Sequence, residues 1–515
     1  MILGLISIEV TIIGIAYLYW VKNDTIRYVS LWVMSSLLIL ATTCASSQLV
    51  GSDIHLEYYY ANQTLLNGWD SSLANTINSC LPITLLAPAL AKILHIDLIW
   101  VFKVIFPLLF ALIPPILYYV YSKIIKPDLA VIGVLIFLII PTFFIEMPQI
   151  QRAMFAILEV VIMLAVIVSN RSYKTKMVLL MLGTLLLVAS HYSTVMFWLF
   201  IVAMLVVGCL IGHKKKEATL YMSVLLVGLA GFMLYSRWVA SGWQVVDIGN
   251  TIFNMMGMSD HVIHAVPGAN GDMQVIIPST PLPVGTPADF VVNWVGIGVL
   301  IATLPAITLF LFNKEMDTKY KAGTVACLIL LVVAVVYPAI SNTINYTRYF
   351  LMIMVLLSPV VALFLFRYIK EYTLVILLFV FLVTSGLVFN ALGISNIEKQ
   401  RIPYSVAFEN SKLDAGNYLT NSDRRVCEWA SANKITDVHG DIGAVLVMQE
   451  YVNHFETHYL TGSEIPAGYL FLREWNNQKG TLAIWVGPGL RRQIPFKVDG
   501  KILYRHGDAI LMEVK

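Results

Sequence analysis

Apolar runs of close to twenty residues recur from Met1 to Asn390, each long enough to cross about 30 Å of hydrocarbon as a helix. Inside lipid every backbone polar group must be paired within the protein, so such a pattern leaves little besides a helix bundle. The runs fall at about 1–20, 29–50, 98–120, 129–145, 153–169, 177–190, 195–212, 219–238, 291–312, 322–340, 350–366 and 373–390. They predict an α-helical polytopic membrane protein of about 12 transmembrane helices over 1–390. Of 515 residues, 58% are hydrophobic and 13% charged, which excludes an ordinary soluble chain. After Asn390 the composition becomes that of a soluble protein, so 391–515 is predicted to be a separate domain.

Lys and Arg in the loops set the expected orientation. One set of loops carries Lys22, Arg27, Lys123, Lys126, Arg171, Lys174, Lys176, Lys214, Lys215, Lys216, Lys314, Lys319, Lys321, Arg367 and Lys370. The alternate set, up to Asn390, holds Lys92, Arg152 and Arg348. Fifteen against three places the first set in the cytoplasm, and with twelve spans both the N-terminus and 391–515 fall outside. The first span can alternatively be an uncleaved signal anchor, since no small-residue cleavage site follows it. The net charge of +3 follows from this topology, and the tail balances fourteen bases with fourteen acids, so nothing suggests nucleic acid. Cys44, Cys209 and Cys327 lie in spans, Cys80 and Cys427 outside, and no CxxC spacing occurs.

Two outer loops are long. The first, 51–97, contains Tyr58, Tyr59, Tyr60 and Trp69, then the apolar stretch 81–91, which is too short to span and reads as interfacial helix. The second, 239–290, is rich in Gly and Pro and reads as a binding loop or lid. The tail reads as α/β, with a helix from Ser422 to about Asn433 and strands at 434–439, 469–472, 481–486, 501–504 and 509–514.

Asp53, His55 and Glu57 open the first outer loop directly after a span. Acids are costly at the edge of hydrocarbon, and a reason for them is chemistry on a lipid-borne substrate. The bland alternative is a solvated loop start. Partial desolvation at a span mouth makes a carboxylate a stronger base. Glu57 follows Asp53 by one helical turn, so both can face one cleft. His55 completes a set of two carboxylates and an imidazole, which leaves a divalent cation open beside the reading as a substrate contact. The sparse outer cations are Arg348, within Tyr346, Arg348 and Tyr349 at a late span start, and Arg152 after Pro148; Lys103 lies in the outer part of its span. Guanidinium binds phosphate bidentately, while a basic group near a helix end can also simply reach for headgroups. His191 sits in a tight outer turn with Ser193 and Thr194, beside the cleft or as a helix cap. Asp260, His261 and His264 read as solvated loop residues, Arg237 as an anchor, and Glu159 as a candidate partner for Arg152 on one helix face.

Over about 29–390 the order of features resembles the GT-C superfamily of integral-membrane glycosyltransferases, most of all its prokaryotic, chiefly archaeal, branch. The shared order is a span, an acidic outer loop (Asp53, Glu57), interfacial helices (81–95), a helical bundle, an outer Arg348-Tyr349 at a late helix start, and an outside C-terminal domain. The resemblance implies inverting transfer of a sugar from a polyprenyl-phosphate donor to a glycan, lipid or protein acceptor on the outer face of the cell membrane. Asp53 matches the family's catalytic acid and Arg348 the basic position near the lipid phosphate. The chain departs from the pattern by one extra N-terminal span and by Asp-x-His-x-Glu in place of adjacent acids.

The expected roles are therefore Asp53 as base, with Glu57 and His55 orienting sugar or acceptor. Arg348, Arg152 and Lys103 hold the phosphate, and His191, Tyr346 and Tyr349 contact substrate. The 239–290 loop closes over the site and 391–515 selects the acceptor. The alternatives are a flippase or transporter of lipid-linked saccharides, which needs ionisable groups along a central path, and a non-catalytic scaffold.

Overall fold

The computed structural model describes residues 14, 17–18, 20–44, 48–51, 53–70, 76–140, 142–242, 244–245, 303–313, 317–336, 346–368, 372–373, 375–376, 420–452, 457–460, 465–487 and 490–514. The lid predicted at 239–290, beyond Val245, lies outside these residues, as do Asp260, His261, His264 and the predicted boundary at Asn390.

Among the described residues seven helices are long and apolar enough to cross a membrane: Asp24–Thr43, Leu98–Ser122, Gln151–Val168, Tyr173–Ser190, Tyr192–Ile211, Lys215–Trp238 and Arg348–Tyr368. An eighth span results if Pro127–Leu138 and Thr142–Gln149 are taken together. That pair corrects the uninterrupted span expected over 129–145, because its halves are bent by 69°. Pro141 in this part of the sequence lacks the N–H that a continuous helix needs. Of the other four predicted spans, the first, ninth and twelfth fall largely outside the described residues, and the tenth is represented by the helix Thr318–Val336. The chain reads as a multi-pass membrane protein.

Small residues and buried hydroxyls let the helices approach closely. A Cβ added at Gly208 would stand 2.5 Å from Ala322 Cβ, so Tyr192–Ile211 packs tightly on Thr318–Val336. The indole N–H of buried Trp198 donates to Thr184 Oγ1 at 2.9 Å, tying Tyr192–Ile211 to Tyr173–Ser190 as well. Leu85, Leu86, Ile93 and Leu94 stay exposed on the short helical stretch Pro82–Leu94, an apolar surface suited to the membrane interface.

Four helices are base-rich at one end only, Asp24–Thr43 at its start and the other three at their finish. Asp24–Thr43 begins beside Lys22 and Arg27, which bond Asp128 at 2.8 and 2.6 Å. Its 20 residues carry the chain about 30 Å before it enters the segment leading to Asp53. Gln151–Val168 starts with Arg152 and runs towards Arg171, Tyr192–Ile211 starts beside His191 and runs towards Lys214, and Tyr346–Tyr368 starts with Arg348 and ends with Arg367. Lys214 and Lys319 are in turn paired with Asp317 and Glu217. The sparse ionisable groups singled out at helix starts thus lie away from the base-rich ends.

The C-terminal part holds a five-stranded sheet in the order β2-β1-β3-β7-β6, formed by β1 (Val438–Gly440), β2 (Thr457–Tyr459), β3 (Gly468–Leu472), β6 (Gly500–His506) and β7 (Ala509–Val514). β1 runs parallel to β2 and β3, and β7 runs antiparallel to β3 and β6. β4 (Thr481–Gly487) and β5 (Leu490–Pro495) form a separate two-stranded antiparallel ribbon. The predicted first helix is Asn421–Ala432, and its cap is Thr420 rather than Ser422: Thr420 Oγ1 accepts from the Asp423 N–H while Asp423 accepts from the Thr420 N–H. Val426, Cys427 and Ala430 pack this helix on Phe471 and Leu511. Cys80 and Cys427 are both buried free thiols.

Candidate active site

Asp53 opens the helix Asp53–Asn67, so Asp53 and Glu57 stand one turn apart on one face. Both are buried. Gly51, with φ +127°, brings the preceding chain against the short turn Met147–Gln149; any side chain there would meet Gln149 Cβ at 2.5 Å. That approach delivers the acids to the start of Gln151–Val168. Gln151 fixes this start by donating its side-chain amide to Phe102 O at 3.1 Å and Pro148 O at 2.8 Å.

The acids there meet cations. Arg152 Nη2 bonds Asp53 Oδ2 at 2.9 Å and Arg152 Nη1 bonds Glu57 Oε1. The Gln151 backbone N–H donates to Glu57 Oε2 at 2.8 Å, so the Glu57 carboxylate occupies the anion position at a helix N-terminus. Arg348 Nη1 lies 3.7 Å from Asp53 Oδ2, and its Nε donates to Glu146 Oε1 at 3.0 Å. Asp53 therefore stands between two guanidinium groups. Arg348 is the more open, its side chain 24% exposed against 12% for Arg152.

Burial pushes the Glu57 carboxyl up to about 7, with Arg152 opposing the rise and Asp53 adding to it. A carboxyl raised above its ordinary 4.5 stabilises the folded state in its protonated form. That contribution is complete below about 4.5 and is lost as pH rises through about 7. Melting temperatures in detergent at pH 5 and pH 8 should therefore show the wild type losing stability relative to Glu57→Gln as pH rises. A difference independent of pH would contradict a buried, titrating Glu57. His191 is close enough to feel both cations: burial, then Arg152 and Arg348, hold its imidazole well below the usual range, and so neutral. Its Nδ1 lies 2.8 Å from Thr194 Oγ1 and 3.2 Å from Ser193 Oγ.

The remaining predicted residues divide. Lys103 donates to the Gln48 carbonyl at 2.8 Å while its own carbonyl accepts from Thr43 Oγ1 at 2.7 Å, so it braces the backbone leading to Asp53. His55 is turned about 200° from Asp53 round the helix, at roughly 100° per residue, and contacts the C-terminal part through Glu450. Tyr349 packs against the helical core, and the Tyr346 side chain lies outside the described residues. Glu159 accepts from Ser190 Oγ at 2.7 Å in place of the expected contact with Arg152.

Glu146, Gln151 and Glu450 were missed from sequence. Glu146 had a usable signal, an acid two residues before Pro148 at the end of an apolar run; Glu450 had none. Among the described residues no group of three or more His, Cys, Asp or Glu side chains is placed to hold a metal ion. The Asp53, Glu57 and Glu146 oxygens instead bond guanidinium and backbone N–H groups, a poor fit to the divalent cation entertained from sequence.

No protein-family model matches this chain, and no curated protein matches it. Among solved structures it is similar to the arabinofuranosyltransferase AftD from Mycobacteria, at 12% identity and a TM-score of 0.46, over 94% of this chain and 40% of that one. It is also similar to the apo oligosaccharyltransferase of Archaeoglobus fulgidus, at 11% identity and a TM-score of 0.49, over 89% of this chain and 70% of that one. The chain spans well under half the length of AftD.

Proposed function

We propose that this protein is a GT-C-type inverting glycosyltransferase of the cell membrane, moving a sugar from a polyprenyl-phosphate lipid to a glycan, lipid or protein acceptor. One observation carries the reading: two buried carboxylates and two guanidinium groups converge at the helix ends opposite the base-rich ends. That side is taken as the outer face, with 391–515 as an outer domain that helps to select the acceptor. Asp53 takes the acceptor hydroxyl proton while the acceptor oxygen bonds the anomeric carbon from the face opposite the phosphate. The sugar–phosphate C–O bond breaks, and the lipid phosphate leaves with one more negative charge. Arg348, the more open cation, receives that charge as it develops. Arg152 holds Asp53 and Glu57 in place. Neutral His191 contributes polarity without a competing charge.

Guanidinium contacts to a phosphate contribute about 1.5–3 kcal/mol in hydrogen bonds to charged groups. Arg348→Ala should therefore weaken binding of a polyprenyl-phosphate sugar about ten- to a hundredfold. Equilibrium binding of a labelled donor to the protein in lipid nanodiscs measures this. Unchanged affinity would remove Arg348 from the donor site, and absence of transfer from every lipid-phosphate donor tried would remove the reading itself.

A further inference from the structure

The helix Asp53–Asn67 has a second buried face. His55 is fully buried, and its Nδ1 is bonded to Oε1 of Glu450, a residue 5% exposed and 395 positions along the chain. Glu450 lies just past the helix Ile442–Met448, its N–H donating to Val447 O at 3.1 Å. His55 Nε2 has no hydrogen-bond partner among the described residues, so Glu450 is the contact that orients the ring. Gln48 Nε2 donates to Asn421 Oδ1 at 3.1 Å, a second link from the chain just before Asp53 to the C-terminal part. Tyr58, on the His55 side of the helix, lies within electrostatic range of Glu450 and Arg424.

A carboxylate so deeply buried needs a specific partner, and here the partner is one half-turn from the proposed base. The helix is thus held on opposite faces, by Arg152 through Asp53 and Glu57 and by Glu450 through His55. Rotation or sliding of the helix breaks one contact or the other. A shift of about 1 Å at a reacting group can cost about a hundredfold in rate. We propose that Glu450 is a positioning residue, fixing through His55 the setting of the helix that presents Asp53 to donor and acceptor. This inference rests on the transfer reading. It makes the C-terminal part a component of the site in addition to an acceptor-selecting surface.

The test uses full-length protein in nanodiscs, a polyprenyl-phosphate sugar as donor, and amide hydrogen exchange across Asp53–Asn67. Glu450→Ala should lower kcat about tenfold or more with donor affinity changed less than twofold, and should raise exchange in that helix. Glu450→Gln, which keeps a hydrogen-bonding oxygen, should retain most of kcat and of the protection. His55→Leu should resemble Glu450→Ala, and the double variant should be no worse than either single one. The proposal is overturned by unchanged kcat and exchange in Glu450→Ala, by Gln and Ala variants that fail alike, or by losses that multiply in the double variant. If Glu450→Ala does not fold, Glu450→Gln against His55→Leu decides through the same two readouts. Wild-type protein that transfers no sugar, while its helix exchange still responds to Glu450→Ala, would sink the transfer reading alone.

Discussion

Asp53→Asn is expected to reduce sugar transfer by about 10²–10⁴-fold, the usual contribution of a positioned general base. The substitution keeps shape and keeps an oxygen that accepts from Arg152, but removes the ability to take the acceptor proton. Folding should survive, because Arg152 retains Glu57 and Arg348 retains Glu146. Donor binding should hold or tighten, since one of the carboxylates neutralising the two guanidinium groups is gone. Three measurements on one preparation decide it: turnover of a radiolabelled polyprenyl-phosphate sugar, donor affinity, and thermal melting. Transfer within a few-fold of wild type would remove Asp53 as base. A loss of transfer matched by a collapse in melting temperature would make Asp53 a structural ion-pair member. A scaffold would be indifferent, and a flippase would show a defect in lipid translocation instead.

What could be read in the sequence follows from how far each constraint reaches along the chain. Bilayer thickness acts on every twenty residues, so the spans, the charge asymmetry of their ends and the placement of Asp53, Glu57, Arg152 and Arg348 near base-poor ends are visible locally. The i, i+4 spacing of Asp53 and Glu57 likewise places both on one face before any fold is known. Long-range pairing leaves no such trace. His55 falls between the two acids and invites a shared role, yet half a turn of helix sends it to Glu450 in a segment 395 positions away. Lys103 is an intramembrane cation, which suggests a phosphate; that its ammonium donates to the Gln48 carbonyl had no trace in the sequence. Glu146 falls just past the run 129–145, in the short connection 146–152, where a lone acid beside a helix end carries no mark of its partner in a distant helix. In the C-terminal part, strands with clear alternation were legible, whereas the short helices Ile442–Met448 and Glu474–Lys479 carry too few residues to show a period.

Arg152→Gln should destabilise the folded protein by about 3–5 kcal/mol at pH 8, the cost of removing one partner from a buried ionic cluster. Arg152 opposes the rise of the Glu57 carboxyl, so the variant leaves Asp53 and Glu57 one turn apart with no guanidinium between them, and Glu57 escapes the repulsion only by taking up a proton. The Gln151 backbone N–H still holds Glu57, and Arg348 at 3.7 Å still attracts Asp53, but neither replaces the two Arg152 contacts. Adding Glu57→Gln removes one of the stranded charges and should restore a large part of the lost stability, because residues in one ionic network do not act additively. Arg348→Ala should be milder in melting temperature, as both Arg348 and its partner Glu146 are partly open to solvent and their pairing is screened. The two arginines thus separate by readout: Arg152 governs melting temperature and Arg348 governs donor affinity. A melting temperature for Arg152→Gln equal to wild type, or a double variant less stable than the single one, would mean that the carboxylates are held by something other than this guanidinium.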